Sequence, residues 1–204
     1  MLITASTATA KVPQSSGTVS VYDDVIVTAT TFPGINPEVT GQWHFPMKYE
    51  PRTPGIGLFG ATRSNMRSHA GIDLYAPPGT MIYAMTDGRV RNIDVFYQGL
   101  MSIEVENLDG TTIRYTELAP LVAIGDPVKQ GQAIAKLRKN YDGTCMLHLE
   151  IYATISPDTL TDLENQSDYL YVPVGARSYR RRSDLVDPSA VYSLVRPSGN
   201  NSKP

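Results

Sequence analysis

The 204-residue sequence is poor in cysteine, in charge and in long apolar runs. Its single cysteine, Cys145, excludes an internal disulfide framework and a zinc site made of four cysteines. Charged residues make up 19% of the chain and the formal net charge is −2, which argues against a nucleic-acid-binding protein that relies on a basic surface. Since no run of about 18 apolar residues occurs, the sequence contains no candidate membrane span.

The first ten residues, MLITASTATA, lack the features of a secretory signal peptide. They contain no basic residue, and threonine and serine interrupt the apolar positions. We therefore expect the protein to be made in the cytoplasm without a recognisable signal peptide. If it acts outside the cytoplasm, another export route carries it or a leader has been lost.

Strand and turn signals dominate the residues that are present. Tyrosine (12) outnumbers phenylalanine (4), and 16 glycines and 15 prolines divide the chain into short runs. Seven segments between residues 71 and 152 have strand character, without a convincing ten-residue helical period, and Asp109-Gly110 is the strongest hairpin signal. We predict an all-β fold, an antiparallel sheet or sandwich with short helices near the C-terminus. The predicted strands are Gly71–Tyr75, Met81–Ala84, Gly88–Asp94, Met101–Glu106, Thr112–Glu117, Ala133–Leu137 and Met146–Tyr152.

The two ends of the chain differ in composition from its middle. Residues 1–31 hold eleven serines and threonines, and within 1–40 only Val19–Thr28 has strand character. We predict that 1–40 form a partly flexible tail or edge strand, that 41–195 form the domain, and that 196–204 form a second tail. Towards the C-terminus, we predict a polar insertion at 158–169 with one short helix, a strand at Tyr169–Val174 and a short helix after Pro188.

Two of the three histidines lie in segments that suit a metal site. His69 precedes Asp73 by four residues, and in an extended segment both share a face with Gly71, which leaves room for an ion. In Met146–Tyr152, alternation places His148 and Glu150 on the face opposite three apolar residues. Two histidines and one aspartate make the three-ligand set of catalytic zinc sites, although spacing alone equally describes polar histidines with an aspartate as ion-pair partner. Glu150 either orients a ligand or forms a structural ion pair.

Five segments, taken in order, resemble the M23 peptidases, the lysostaphin-like zinc endopeptidases that cleave peptidoglycan cross-bridges or stem peptides. The resemblance covers about residues 41–195. It implies that His69, Asp73 and His148 hold one zinc ion, and that Arg63 lies near the site. Arg63 would there stabilise an oxyanion or hold a substrate carboxylate, and the alternative is a solvent-exposed loop arginine. The segments are FGATR at 59–63, HAGIDLYAPPGT at 69–80, AMTDGRV at 84–90, GDPVKQGQ at 125–132 and LHLEI at 147–151.

Two positions depart from the family pattern. The family commonly has Tyr-x-His-Leu where this chain has Glu117 at the histidine, and His-x-His where this chain has Met146 at the first histidine. One hypothesis is that Glu117 replaces the histidine as general base, because a carboxylate beside zinc-activated water suffices for peptide hydrolysis. The other is a catalytically weak or inactive module that binds zinc and cell-wall peptide, or activates another wall hydrolase. The departures resemble a variant branch associated with phage and secreted-effector proteins.

The resemblance therefore implies zinc-dependent hydrolysis of an amide bond in bacterial peptidoglycan, by a secreted antibacterial effector or a phage lytic protein. The expected partners are peptidoglycan and a cognate immunity protein or secretion-machine component, and the expected place of action is the periplasm or cell wall, including that of a target cell. A rival comes from another class of protein: GDPVKQGQ at 125–132 also resembles the hairpin of biotinyl and lipoyl carrier domains. The sequence lacks the Met-Lys-Met or Asp-Lys-Ala tripeptide that commonly carries their modified lysine.

Overall fold

The computed structural model describes residues 26–28, 42–48, 55–63, 68–162 and 180–189. Apart from a 3-10 turn at Gly55–Gly57 and a helical residue at Ser189, the regular elements in these ranges are β-strands. The predicted all-β class is therefore confirmed, and the described residues include no helix that could cross a membrane. The strands are β1 (Ile26–Thr28), β2 (Gln42–His44), β3 (Ile72–Tyr75), β4 (Met81–Tyr83), β5 (Gly88–Val95), β6 (Met101–Asn107), β7 (Thr112–Pro120), β8 (Pro127–Val128), β9 (Ala133–Leu137), β10 (Met146–Tyr152), β11 (Thr161–Asp162), β12 (Arg180–Arg181) and β13 (Leu185–Val186).

Nine of these strands form one open antiparallel sheet. Its main order is β13-β10-β7-β6-β5-β8, while β3 pairs with β10, β9 with β7, and β4 with β9. Strand β10 is the hub, because it pairs with β7, β3 and β13. The remaining strands form two pairs, β1 with β2 and β11 with β12. Strand β10 thus brings segments from distant parts of the sequence to one place.

Alternation along β10 separates the apolar core from a polar face. Leu147, Leu149 and Ile151 are buried in the hydrophobic core, whereas His148 and Glu150 point to the opposite face. Burying such apolar side chains contributes about 1.5–3 kcal/mol each. A slip of one residue would turn all three out of the core, so the register that holds His148 on the polar face is strongly favoured.

All seven strands predicted between residues 71 and 152 are present. Their ends differ from the prediction by at most three residues, the largest difference being the continuation of β7 to Pro120. The Asp109-Gly110 turn joins β6 to β7 as predicted, with Gly110 at a φ of 90°.

The described residues cover only parts of the two ends of the chain. Of residues 1–40, the structure describes only Ile26–Thr28, which pair with β2. Of the insertion predicted at 158–169, the structure describes residues 158–162, of which Thr161–Asp162 form β11 by pairing with β12; the rest of that prediction lies outside the described residues. The strand predicted at Tyr169–Val174 lies outside the described residues, and so does the helix after Pro188 except for Ser189.

Candidate metal centre

The three predicted ligands meet where β3 pairs with β10. The strand register sets Asp73 opposite His148, and His69 lies just before β3. His69 Nε2 is 2.8 Å from His148 Nδ1 and 3.0 Å from Asp73 Oδ1, and His148 Nδ1 is 2.9 Å from Asp73 Oδ1. All three residues are buried. Among the described residues, this is the one group of histidine, cysteine and acidic side chains that could hold a metal ion.

Hydrogen bonds on the outer side of each ring determine which nitrogen faces the cluster. His69 Nδ1 lies 2.9 Å from the carbonyl oxygen of Leu58, to which it donates, so Nε2 carries the lone pair. His148 Nε2 donates to Glu150 Oε1 at 3.0 Å, so Nδ1 carries a lone pair when the ring is neutral and a proton when the ring is charged. Two nitrogen lone pairs and a carboxylate oxygen therefore converge. These electron-rich atoms repel one another unless a proton or a cation lies between them. Nitrogen and oxygen donors of this kind fit zinc, which prefers four-coordinate sites.

The charge balance of the cluster also favours a cation. Burial by itself lowers the pKa of His148, but its hydrogen bonds to Asp73 and Glu150 raise that pKa to about 9. Burial likewise opposes ionisation of Asp73, yet hydrogen bonds from His148 and His69 hold its pKa well below the usual range. Burial lowers the pKa of His69. The site thus retains an ionised carboxylate and strongly favours one positive charge among the three donors.

Gly71 lies against the cluster for a different reason from the one predicted. A Cβ atom at this position would be 2.3 Å from the carbonyl oxygen of Leu149 and 3.0 Å from Cε1 and Nε2 of His148. The space left by the missing side chain is therefore taken by the β10 backbone and the histidine ring, not by an ion. A glycine is needed here because two backbones and a ring approach one another closely.

Arg63 contacts the three-residue cluster of His69, Asp73 and His148. It donates from Nη2 to Asp73 Oδ2, the carboxylate oxygen that faces away from the two histidines, in a short contact. The Arg63 side chain is 25% exposed. One side of the guanidinium is thus engaged by the cluster while the group remains reachable from solvent.

Glu117 reaches the polar face through an irregularity in β7. The core residues of this strand are Ile113, Tyr115 and Leu118. Two residues, Thr116 and Glu117, therefore separate the last two core positions instead of one, and neither belongs to the hydrophobic core. Glu117 has no partner on β6, and it lies where β7 exchanges β10 for β9 as its neighbour. Its φ of 66° is left-handed, which is unusual for a residue other than glycine. Such a bulge redirects a side chain.

The carboxylate of Glu117 is buried and incompletely bonded. The residue is 5% exposed, and its Oε2 atom has no hydrogen-bond partner among the described residues. Burial raises the pKa of Glu117 to about 7, with the nearby negative charge of Asp73 adding to the effect and His148 opposing it. A side chain with this pKa can both accept and release a proton near neutral pH.

Glu150 combines the two roles considered from the sequence, because it contacts the proposed ligand His148 and also forms ion pairs. Its carboxylate accepts from His148 and binds Arg114 and Arg181. The buried Tyr152 donates from its hydroxyl to Glu150 Oε2 at 2.6 Å. The sequence offers no local signal for Arg181, because it lies 31 positions after Glu150 on a separate strand.

Comparisons with known proteins find a family model and several solved structures that are similar to this chain. Residues 67–159 match the family model described as peptidase family M23. A catalytic-domain mutant of the prophage-encoded M23 protein EnpA from Enterococcus faecalis has 28% identity over 42% of this chain and 68% of its own, with a TM-score of 0.38. The catalytic domain of the antimicrobial peptidase lysostaphin from Staphylococcus simulans has 25% identity over 53% of this chain and 80% of its own, with a TM-score of 0.40. No curated protein is a significant match.

A zinc-containing peptidase from Vibrio cholerae is also similar to this chain. It has 26% identity over 52% of this chain, with a TM-score of 0.44. This chain spans 35% of the length of that peptidase, so only a part of it has a counterpart here.

Proposed function

We propose that the protein, whose residues 67–159 match the model of peptidase family M23, is a zinc-dependent endopeptidase that hydrolyses an amide bond in bacterial peptidoglycan. One observation carries the proposal. The donor atoms of His69, Asp73 and His148 converge within 3.0 Å of one another, on the sheet face that also bears the buried carboxylate of Glu117. The resemblance of the ordered motifs to M23 peptidases supplies the substrate class.

His69, Asp73 and His148 would hold the zinc ion. When bound, zinc supplies a Lewis acid that polarises the scissile carbonyl and acidifies a water molecule. Two neutral imidazoles and one carboxylate would make up the three-ligand set that catalytic zinc sites use. The outer hydrogen bonds that the rings donate to the Leu58 carbonyl and to Glu150 keep both rings in the binding orientation.

Glu117 is proposed as the general base. In its ionised form, Oε2 accepts the proton of the attacking water, holds it, and then donates it to the amine that leaves. The absence of a hydrogen-bond partner keeps this oxygen available, and the pKa of about 7 lets the carboxyl exist in both protonation states near neutrality. This role is the one that a histidine commonly fills in the family.

Arg63 is proposed to act on the substrate side of the centre. Its guanidinium is fixed by Asp73 and is partly exposed, so it offers further N–H donors to a substrate carboxylate or to the negative charge that develops on the scissile carbonyl oxygen. The pairing also neutralises the outer oxygen of Asp73, which leaves the inner oxygen for the metal.

A second candidate function rests on Met146. This residue stands on β10 where the family commonly has another histidine, and a thioether cannot transfer a proton. With Glu117 in place of the other histidine, the chain would then be a zinc- and peptide-binding module that turns over slowly, or that activates another wall hydrolase. Retention of all three ligands and of an ionisable carboxyl at 117 favours the enzyme.

The proposed substrate sets the proposed place of action. Peptidoglycan lies outside the cytoplasmic membrane, so we propose the periplasm or cell wall, including that of a target cell. A secreted antibacterial effector and a phage lytic protein both fit this site of action, and a cognate immunity protein or a secretion-machine component would be the corresponding partner.

Digestion of purified sacculi tests the enzymatic proposal. The full-length protein is incubated with sacculi as prepared, after treatment with a chelator, and after zinc is added back. We expect soluble muropeptides in the first and third samples, and their masses identify the bond that is cut. Zinc bound in stoichiometric amount without fragments from any sacculus type would favour the binding module instead.

A further inference from the structure

The carboxylate of Glu150 is enclosed by four hydrogen-bond donors. Oε1 accepts from His148 Nε2 at 3.0 Å and from Arg181 Nε at 2.7 Å. Oε2 accepts from Arg114 Nη1 at 3.1 Å and from the Tyr152 hydroxyl at 2.6 Å. Glu150 is fully buried. A carboxylate with two donors on each oxygen has a fixed plane, and that plane sets the direction in which the His148 ring points.

Arg181 comes from outside the segment that matches the family model. That segment ends at residue 159, whereas Arg181 lies on β12. Its guanidinium carbon is 5.9 Å from the ring centroid of Phe96, and Phe96 stacks on His148 at 5.8 Å with 23° between the planes. Arg181 therefore contacts both the acceptor of the His148 ring N–H and the aromatic ring that covers the His148 face.

We propose that Arg181 is a positioning residue of the metal centre: it holds Glu150 and Phe96 so that His148 keeps Nδ1 directed at the metal. The proposal rests on the zinc centre proposed above. It assigns to the segment after residue 159 a part in completing the site. An arginine suits this position because its planar guanidinium donates in a fixed direction and packs on an aromatic ring at the same time.

The charges around Glu150 show why a second cation is needed. Arg114 is shared, since its Nη2 binds Glu104 at 2.7 Å while its Nη1 binds Glu150 at 3.1 Å. Glu150 is fully buried, and Arg181 and Arg114 each place a guanidinium against one of its two oxygens. Without Arg181, two buried carboxylates would compete for Arg114, and the acceptor of the His148 N–H would lose a partner.

The neighbouring residue Arg182 provides a control that separates a positioning role of Arg181 from a purely structural one. Arg182 is buried, and it donates to Asp184 Oδ1 at 2.6 Å and to the carbonyl of Thr154 at 2.6 Å, not to Glu150. Its guanidinium carbon lies 5.2 Å from the ring centroid of Tyr152. Loss of Arg182 should therefore destabilise the same region without moving His148. The matched pair Arg181→Gln and Arg182→Gln separates positioning of the metal ligand from support of the fold.

The test measures metal binding by the full-length chain without any substrate. Zn²⁺ affinity is obtained by competition with a chromophoric chelator, and the Co²⁺-substituted protein is examined by its visible absorption spectrum. We expect Arg181→Gln to bind Zn²⁺ about tenfold more weakly, near the lower end of the 10–100-fold range for outer partners of metal ligands. We expect a changed Co²⁺ spectrum as well. Arg182→Gln should keep both the affinity and the spectrum of the unaltered protein, whatever its melting temperature.

Two results would overturn the inference. One is an Arg181→Gln protein with unaltered affinity and spectrum, and the other is an equal loss of affinity in Arg182→Gln. If Arg181→Gln does not fold, Arg181→Lys replaces it; this variant keeps the charge but loses the Nε donor, and we expect about a threefold loss, with unchanged affinity again contradicting the proposal. Failure of the unaltered chain to bind Zn²⁺ or Co²⁺ would overturn the metal centre itself, which distinguishes the two proposals.

Discussion

The backbone of Gly71 packs directly against the ring of His148. A Cβ atom on Gly71 would lie 3.0 Å from the His148 ring and 2.3 Å from the carbonyl oxygen of Leu149. Neither neighbour is a flexible chain end, since one is a strand backbone and the other is a proposed metal ligand. The geometry of the metal centre therefore depends on a residue that has no side chain.

We predict that Gly71→Ala lowers both metal binding and stability. The added methyl group must displace β10 or rotate His148, and overpacking of this kind costs about 1–3 kcal/mol. Zinc content and the free energy of unfolding are the measurements. Gly55→Ala is the matched control, because nothing lies within 4 Å of a Cβ built at Gly55. A Gly71→Ala protein with full zinc content would show that the close approach does not position His148.

The left-handed conformation of Glu117 predicts an order of stability among its variants. At a φ of 66°, a Cβ atom is strained, by roughly 1–2 kcal/mol per residue. We expect Glu117→Gly to be about 1 kcal/mol more stable than Glu117→Ala, as measured by denaturant unfolding, while both lose hydrolytic activity.

Gln98 provides the comparison for this effect. It is the other described residue besides glycine with a positive φ, at 49°, and it lies in the turn after β5. Gln98→Gly should likewise be more stable than Gln98→Ala, without loss of zinc. Equal stabilities of the two Glu117 variants would mean that the backbone there is not strained.

The alternation of side chains along strands predicts much of this site from the sequence. The part that it does not predict depends on how the strands pair. Strand alternation is a local rule, so it correctly places His148 and Glu150 on the polar face of β10. The same rule assigns Glu117 to the core face with Tyr115, because it cannot foresee that β7 changes partner after Thr116. The resemblance to a family, not alternation, is what indicates Glu117.

Contacts between distant segments are also beyond sequence reasoning. The contact of Arg181 with Glu150 joins β12 to β10 across 31 positions of the sequence, and no local pattern predicts it. The sequence indicates Gly71 as a residue of the site, but the predicted reason, room for an ion, is wrong. The close approach of the β10 backbone depends on packing, which the sequence does not reveal.

The raised pKa of Glu117 predicts a pH-dependent gain in stability when its charge is removed. A carboxyl with an ordinary pKa of 4.5 when unfolded and about 7 when folded binds more protons in the folded state between these values. Its contribution to stability therefore falls as the pH rises from about 4.5 to 7. In the zinc-free protein, Glu117→Gln should raise the free energy of unfolding at pH 8 relative to its effect at pH 4, by on the order of 3 kcal/mol.

Urea denaturation at the two pH values measures this difference. Glu106→Gln is the control, since Glu106 is 33% exposed on its side chain and lies near Arg91 rather than the metal centre. A Glu117→Gln effect that is the same at pH 4 and pH 8 would show that the folded protein does not disfavour ionisation of Glu117.

The proposed general base can be tested by comparing the rate of peptidoglycan hydrolysis with the zinc content of the same preparations. Glu117→Gln keeps the shape of the side chain and removes its ability to accept a proton, so the rate should fall on the order of 10²–10⁴-fold. Zinc content should stay stoichiometric, because Glu117 is not a ligand, and Glu106→Gln should hydrolyse at the unaltered rate. A Glu117→Gln protein that releases muropeptides as fast as the unaltered enzyme, with zinc bound in both, would contradict the account.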